Sequence, residues 1–225
     1  MLQQAVGEFL PAALAIALSP FPIIGVVMLL GAPRAVPLGV AFLLGWLVGV
    51  STLVALGVAA FSGSDVVDSD TSRLASWLRV LGGIALIAAA GKKWRGRPSP
   101  GDEVELPGWM SKLDGLSVPG ALVAGLLVGG VNPKNIALAL SGTTSMTDVG
   151  LHGSDLFVAA AIFVALASSS VIVSVAFRTF GGQRVAPSLE RVKEFMLANN
   201  VVIMVVVFAG IGVKVLGEGI KGLGR

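Results

Sequence analysis

The chain has 225 residues, of which 55% are hydrophobic and only 13% charged, and its mean hydropathy is +0.89. Soluble domains carry about a quarter charged residues, so the composition excludes an ordinary water-soluble globule and predicts an all-α integral membrane protein. The formal net charge is +3, and the absence of cysteine excludes disulfides, thiolate metal sites and thiol redox chemistry.

Long apolar runs recur along the chain, and a run of roughly 20 apolar residues crosses a bilayer as a helix. The first is Phe9–Pro33, which follows Glu8 and contains the polar break Ser19-Pro20-Phe21-Pro22. It lacks a basic leader, is too long for a signal-peptide core and carries two prolines, so it reads as a span rather than a cleaved signal. The second, Ala35–Ser64, places Gly39, Gly45 and Gly49 on related helical turns. Lipid supplies no hydrophobic force between helices, so such small residues predict close backbone packing. The third, Leu74–Gly91, includes Arg79 in its first turns, where the side chain can snorkel to the interface.

A Pro-, Gly- and charge-rich stretch, 92–114, follows as a predicted cytoplasmic linker. Beyond it, Gly115–Thr147 forms a fourth span interrupted by Asn132-Pro133-Lys134-Asn135, with Gly125, Gly129 and Gly130 as further packing glycines. The fifth, Leu156–Phe177, carries Ser168-Ser169-Ser170. The sixth, Phe195–Val213, carries Asn199-Asn200. Both polar clusters read as helix–helix hydrogen bonding, with cavity lining as the alternative.

Three spans precede the linker and three follow it, so the halves enter the membrane in opposite directions. The predicted organisation is a 3+3 inverted repeat, 1–91 and 115–225, with broken first and fourth helices. Pro11-Ala12-Ala13-Leu14 and Pro119-Gly120-Ala121-Leu122 open the two broken spans, and Pro22 and Pro133 are each followed nine residues later by glycine, Gly31 and Gly142. Paired, interrupted hydrophobic segments in corresponding halves are the best sequence pointer to a transporter's binding site.

Six spans place ten basic residues on one face: Arg34, Lys92, Lys93, Arg95, Arg97, Lys112, Arg178, Arg184, Arg191 and Lys193. The other receives five, Arg73, Arg79, Lys214, Lys221 and Arg225. The positive-inside rule makes the first face cytoplasmic and puts both termini outside the cytoplasmic membrane. Asp65, Asp68, Asp70, Asp148 and Asp155 then fall in outer loops. The run from Lys92 to Arg97 reads as a stop anchor against anionic lipid, not as a nucleic-acid site.

A proline within a helix removes a donor and frees the carbonyl of the preceding turn. In lipid that carbonyl must find another partner. Ser19 can offer its hydroxyl; Asn132 and Asn135 can serve the second break and also donate to a ligand. Lys134 is a charge in an otherwise charge-free segment. Intramembrane ammonium groups face a polar cavity, a carboxylate or an anionic substrate, the alternative here being a lysine near the interface that snorkels. Glu8 is the candidate carboxylate, against a simple interfacial role. The lone His152 makes no metal cluster, and there is no nucleophile elbow or phosphate-cradling loop, so neither an enzyme nor a cofactor is expected.

The motifs Ser19-Pro20-Phe21-Pro22, Leu29-Leu30-Gly31-Ala32-Pro33-Arg34-Ala35 and Gly129-Gly130-Val131-Asn132-Pro133-Lys134-Asn135 resemble those of the Sap/Gap family, the sulfolipid- and peptidoglycolipid-addressing proteins of the lysine exporter (LysE) superfamily. The resemblance implies a small membrane protein that helps carry cell-envelope glycolipids across the cytoplasmic membrane, often beside a larger lipid transporter. It implies functional positions at Pro20, Pro22, Asn132, Pro133, Lys134 and Asn135.

The expected function is a transporter or exporter, with Ser19, Pro20, Phe21, Pro22, Asn132, Pro133, Lys134, Asn135, Ser168 and Ser169 as translocation candidates and no metal site. Expected partners are membrane lipids, a glycolipid or other amphiphile and a larger lipid transporter. A homodimer through the Gly-rich spans is a further candidate. The alternatives are a lysine-exporter-like carrier of an amino acid or ion, and a non-transporting accessory subunit.

Overall fold

The computed structural model describes residues 1–61, 69–97, 113 and 115–224. The end of the second predicted span, Asp65, Asp68, Lys112, Arg225 and residues 98–112 and 114 of the linker lie outside them, as do the side chains of Asp70 and Arg73.

Every regular element among the described residues is a helix: α1 (Leu2–Ala17), α2 (Pro20–Gly31), α3 (Ala35–Phe61), α4 (Ser69–Arg95), α5 (Val118–Gly130), α6 (Pro133–Asp148), α7 (Gly153–Gly181), α8 (Ala186–Ala198) and α9 (Asn200–Leu223). A 3-10 turn, Gly182–Val185, joins α7 to α8, with Gly182 in the left-handed region at φ 59°.

Three stretches, Ala35–Ala60, Gly153–Ala198 and Asn200–Leu223, are long and apolar enough to cross a membrane. The count rises to five if the bent pairs α1–α2 and α5–α6 are each one span. These five correspond to the first, second, fourth, fifth and sixth predicted spans. The third, Leu74–Gly91, lies within α4.

The sixth span starts later than the sequence reading has it. Phe195 belongs to α8, whose Glu190, Arg191, Lys193 and Glu194 make it polar on one side, and α9 begins only at Asn200. Asn199 and Asn200 thus mark the junction of two helices rather than the interior of one.

The chain forms two compact units, and each draws on both halves of the sequence: 1–62 with 105–198, and 63–104 with 199–225. In the first, α3 packs along α5, and α1 along α6 and α7. Phe9, Phe42, Trp46 and Phe163 are fully buried there, with the Phe9 and Phe163 rings edge to face at 5.5 Å.

The predicted packing glycines do bring backbones together. A Cβ on Gly45 would collide with the Leu122 carbonyl and one on Gly125 with that of Phe42, while Gly49 lies against Gly130. In the second unit α4 pairs with α9 by the same device, Gly83 against Leu216 and Gly219 against Val80. Large apolar side chains such as Leu44, Val48, Leu127, Val173 and Val206 remain on the surface, as a lipid-facing exterior requires.

Candidate functional site

The two breaks share one backbone design. In the first, α1 ends at Leu18 (φ −83°, ψ 10°) and Ser19 is extended (φ −65°, ψ 120°) before Pro20 starts α2. In the second, Val131 (φ −108°, ψ −1°) ends α5 and Asn132 is extended (φ −71°, ψ 119°) before Pro133 starts α6. A residue preceding proline is driven out of the helical region, and proline suits the first helical position because its missing N–H is not needed there. The axis turns by 48° at the first break and 57° at the second.

This geometry pairs Ser19 with Asn132 and Pro20 with Pro133, which shifts the glycine-based comparison of Pro22 with Pro133 by two residues. Phe21 then matches Lys134, and Pro22 matches Asn135. Every hydrogen-bonding side chain beyond the cap position therefore belongs to the second break.

The carbonyls left open by the breaks are served from the start of α6. Pro133 cannot donate to Gly129, and the extended Asn132 leaves Val128 open. The buried Asn135 amide donates to both oxygens, at 3.1 Å to Val128 and 3.0 Å to Gly129. Asn132 accepts from the Lys134 backbone N–H at 3.0 Å and so caps α6. Lys134 reaches the other break. Its Nζ donates to the Ala15 carbonyl at 2.8 Å, across 119 residues of sequence. Ala15 has lost its helical partner because the Ser19 N–H bonds Ile16 instead, at 3.1 Å.

The breaks are therefore brought together, with an ammonium group and the N-terminus of α6 at their junction. A helix N-terminus carries partial positive charge, which Lys134 reinforces, so the arrangement suits an anionic group. Lys134 forms no ion pair among the described residues, whereas Lys193 pairs with Glu190 and Lys214 with Glu218. Glu8 accepts from Gln4 one turn earlier at 3.2 Å and forms no ion pair with Lys134. The buried Asn135 Oδ1 accepts no hydrogen bond from the described residues.

The remaining candidates sort differently. Ser19, Pro20 and Pro22 are buried in the first break and Phe21 is partly exposed, but the Ser19 hydroxyl makes no capping bond to α2. Ser168 takes no part in the two breaks' hydrogen bonds described above. It is buried and accepts from Trp46 Nε1 at 3.1 Å, the helix–helix bond anticipated for this cluster. Ser169 is partly buried on the same turn.

Arg178 escaped the sequence reading, which grouped it with the loop cations. It is buried on α7 and its Nε donates at 3.1 Å to the Leu30 carbonyl in the last turn of α2. A cation there satisfies an orphan carbonyl and complements the helix dipole. Its place directly after the apolar run ending at Phe177 was the available signal.

A family model described as "Sap, sulfolipid-1-addressing protein" matches residues 9–221, a range that includes both breaks and all of their bonding partners. The chain belongs to this family. Membership of the Sap family and the apolar helices together fit a role in membrane transport. No curated protein and no solved structure gives a significant match to the chain.

Proposed function

We propose that the protein is an exporter that aids translocation of a cell-envelope glycolipid across the cytoplasmic membrane, with the joined breaks as its translocation site. The observation that carries this reading is the Lys134–Ala15 bond, which sets a cation between two interrupted helices. Lys134 has two further N–H donors for an anionic headgroup, and Asn135 Oδ1 can accept from a sugar hydroxyl.

The scaffold we propose is a six-span 3+3 inverted repeat of the LysE-superfamily type, with 1–91 and 115–225 as the halves. Two observations support it. The backbone angles at Ser19 and Asn132 agree to within a few degrees. Exchanging α1, α3 and α4 for α5, α7 and α9 also turns the α1–α7 contact into the α5–α3 contact and leaves the α3–α7 and α4–α9 contacts in place. Ten basic residues against five orient the halves with 92–114 cytoplasmic and both termini outside. Rocking of one half against the other would expose the breaks alternately.

One observation favours a second reading, a non-transporting accessory subunit of a larger lipid transporter. The open carbonyls of Ala15, Val128 and Gly129 are all satisfied internally, as a static scaffold also requires. One experiment separates the two. Envelope lipids and extracellular metabolites are compared among a deletion strain, its complement and a strain carrying Lys134→Ala. Loss of one surface glycolipid in both mutant strains, with the variant protein at normal levels, supports the translocation site. Normal export by Lys134→Ala rules it out, and selective loss of a small metabolite would point to an amino-acid or ion carrier.

A further inference from the structure

A cavity of about 620 Å³ lies at the opposite end of α2 from its proline break. Twelve residues at 1.5 Å rise put the two ends of this helix about 18 Å apart. Val27 and Met28 of α2, Leu38 of α3 and Leu116 before α5 give the cavity apolar walls. Among the described residues its charged lining is Arg34, Lys193 and Glu190, with Lys193 and Glu190 paired to each other on α8. One pair cancels, and among the described lining residues Arg34 is the cation that no carboxylate pairs. Arg34 and Glu190 are exposed, so the mouth opens on the surface.

We propose that this cavity binds the headgroup and upper chain of an anionic membrane lipid, as a site separate from the two breaks. The volume falls within the roughly 300–1,000 Å³ of small-molecule sites, enough for a headgroup with part of a chain. Guanidinium presents a planar fork that matches phosphate, sulfate or carboxylate oxygens. Lys193, only part-buried, can turn from Glu190 to share the anion. The apolar walls decide between a lipid and a free inorganic anion, because a free anion gains nothing from Val27, Met28 and Leu38. The α8 helix, polar on one side and carrying exposed Val192 and Phe195 on another, suits the interfacial depth at which lipid headgroups lie.

The test is native mass spectrometry of the full-length protein released from phosphatidylcholine nanodiscs containing a graded fraction of phosphatidylglycerol. The expected result is selective retention of phosphatidylglycerol, reduced at least fivefold in Arg34→Gln/Lys193→Gln. Gly31→Leu serves as a second variant, since Gly31 lines the cavity and a Cβ there meets no atom within 4 Å, which leaves room for a larger side chain to compete with the lipid. It is expected to displace the lipid with both cations intact. Equal retention of the two lipids by the wild type overturns the proposal. So does undiminished phosphatidylglycerol binding in both variants. Displacement of the lipid by millimolar inorganic sulfate, with sulfate then bound in its place, would instead identify a free-anion site and overturn the lipid assignment.

Discussion

Lys134 and Asn135 are neighbours on α6 but serve different breaks. Lys134 donates to Ala15 of α1, and Asn135 donates to Val128 and Gly129 of α5. Two adjacent side chains thereby supply backbone groups on both broken spans. The N-terminus of α6 is the point at which the two interruptions depend on one another.

Replacement of Lys134 by methionine keeps the stem and removes the charge. Export is expected to fall at least tenfold. A hydrogen bond from a charged donor contributes about 1.5–3 kcal/mol, so some stability should go with it. Lys134→Arg, which retains a donor for Ala15, is expected to recover stability more fully than export. The checks are lipid profiling of complemented strains and thermal unfolding followed by size-exclusion chromatography.

Asn135→Leu is a structural lesion of a different kind. It strips the donors from two carbonyls at once, and each buried unsatisfied group costs about 1–3 kcal/mol. The variant is expected to be poorly folded, with a large loss of the monodisperse peak. A variant that remains as stable as the wild type would show that water or a neighbouring group takes over both carbonyls.

Glycine substitutions should divide sharply by position. Gly45→Ala and Gly125→Ala place a methyl against the backbone of the facing helix, where no side chain can move aside. Overpacking of this sort costs about 1–3 kcal/mol or more, so loss of folded protein is expected. Gly31→Ala meets nothing within 4 Å and should leave yield and unfolding temperature nearly unchanged. Fluorescence-detected chromatography of the three variants side by side reads the difference.

The Trp46–Ser168 bond can be weighed by a double-mutant cycle. Ser168→Ala leaves a buried indole N–H unpaired and should destabilise by about 1–3 kcal/mol, whereas Trp46→Phe/Ser168→Ala removes both partners. The double variant is expected to be less destabilised than the sum of the singles, by roughly 0.5–1.5 kcal/mol, because the pair acts as a unit. Export by Ser168→Ala should follow folded protein level. A specific export defect at normal level would place Ser168 in the translocation pathway.

The breaks were legible in the sequence because proline announces a missing donor at its own position. Asn135 was legible too, since the carbonyls it serves lie six and seven residues away. The partner of Lys134 was not. It is a backbone oxygen of an alanine in the other half, and no side-chain pattern marks it. Glu8 is the complementary charge that the sequence offers, yet the lysine bonds a helix-end carbonyl that the break has left without a helical partner. Arg178 was missed for a related reason. The apolar run stops at Phe177, but α7 continues to Gly181 and carries the guanidinium back against α2. Asn199 and Asn200 read as the interior of a span because the flanking residues are apolar, although α8 ends at Ala198 and α9 begins at Asn200.

The pairing of α4 with α9 also constrains the order in which the molecule can be assembled. Domains fold from the N-terminus as they emerge from the ribosome. Here α4 is made well before the glycine-lined surface that receives it, on Gly212 and Gly219 of α9, with α5 to α8 coming in between. Until then, the α4 face bearing Gly83 and Val80 has lipid, or some other membrane protein, for a neighbour.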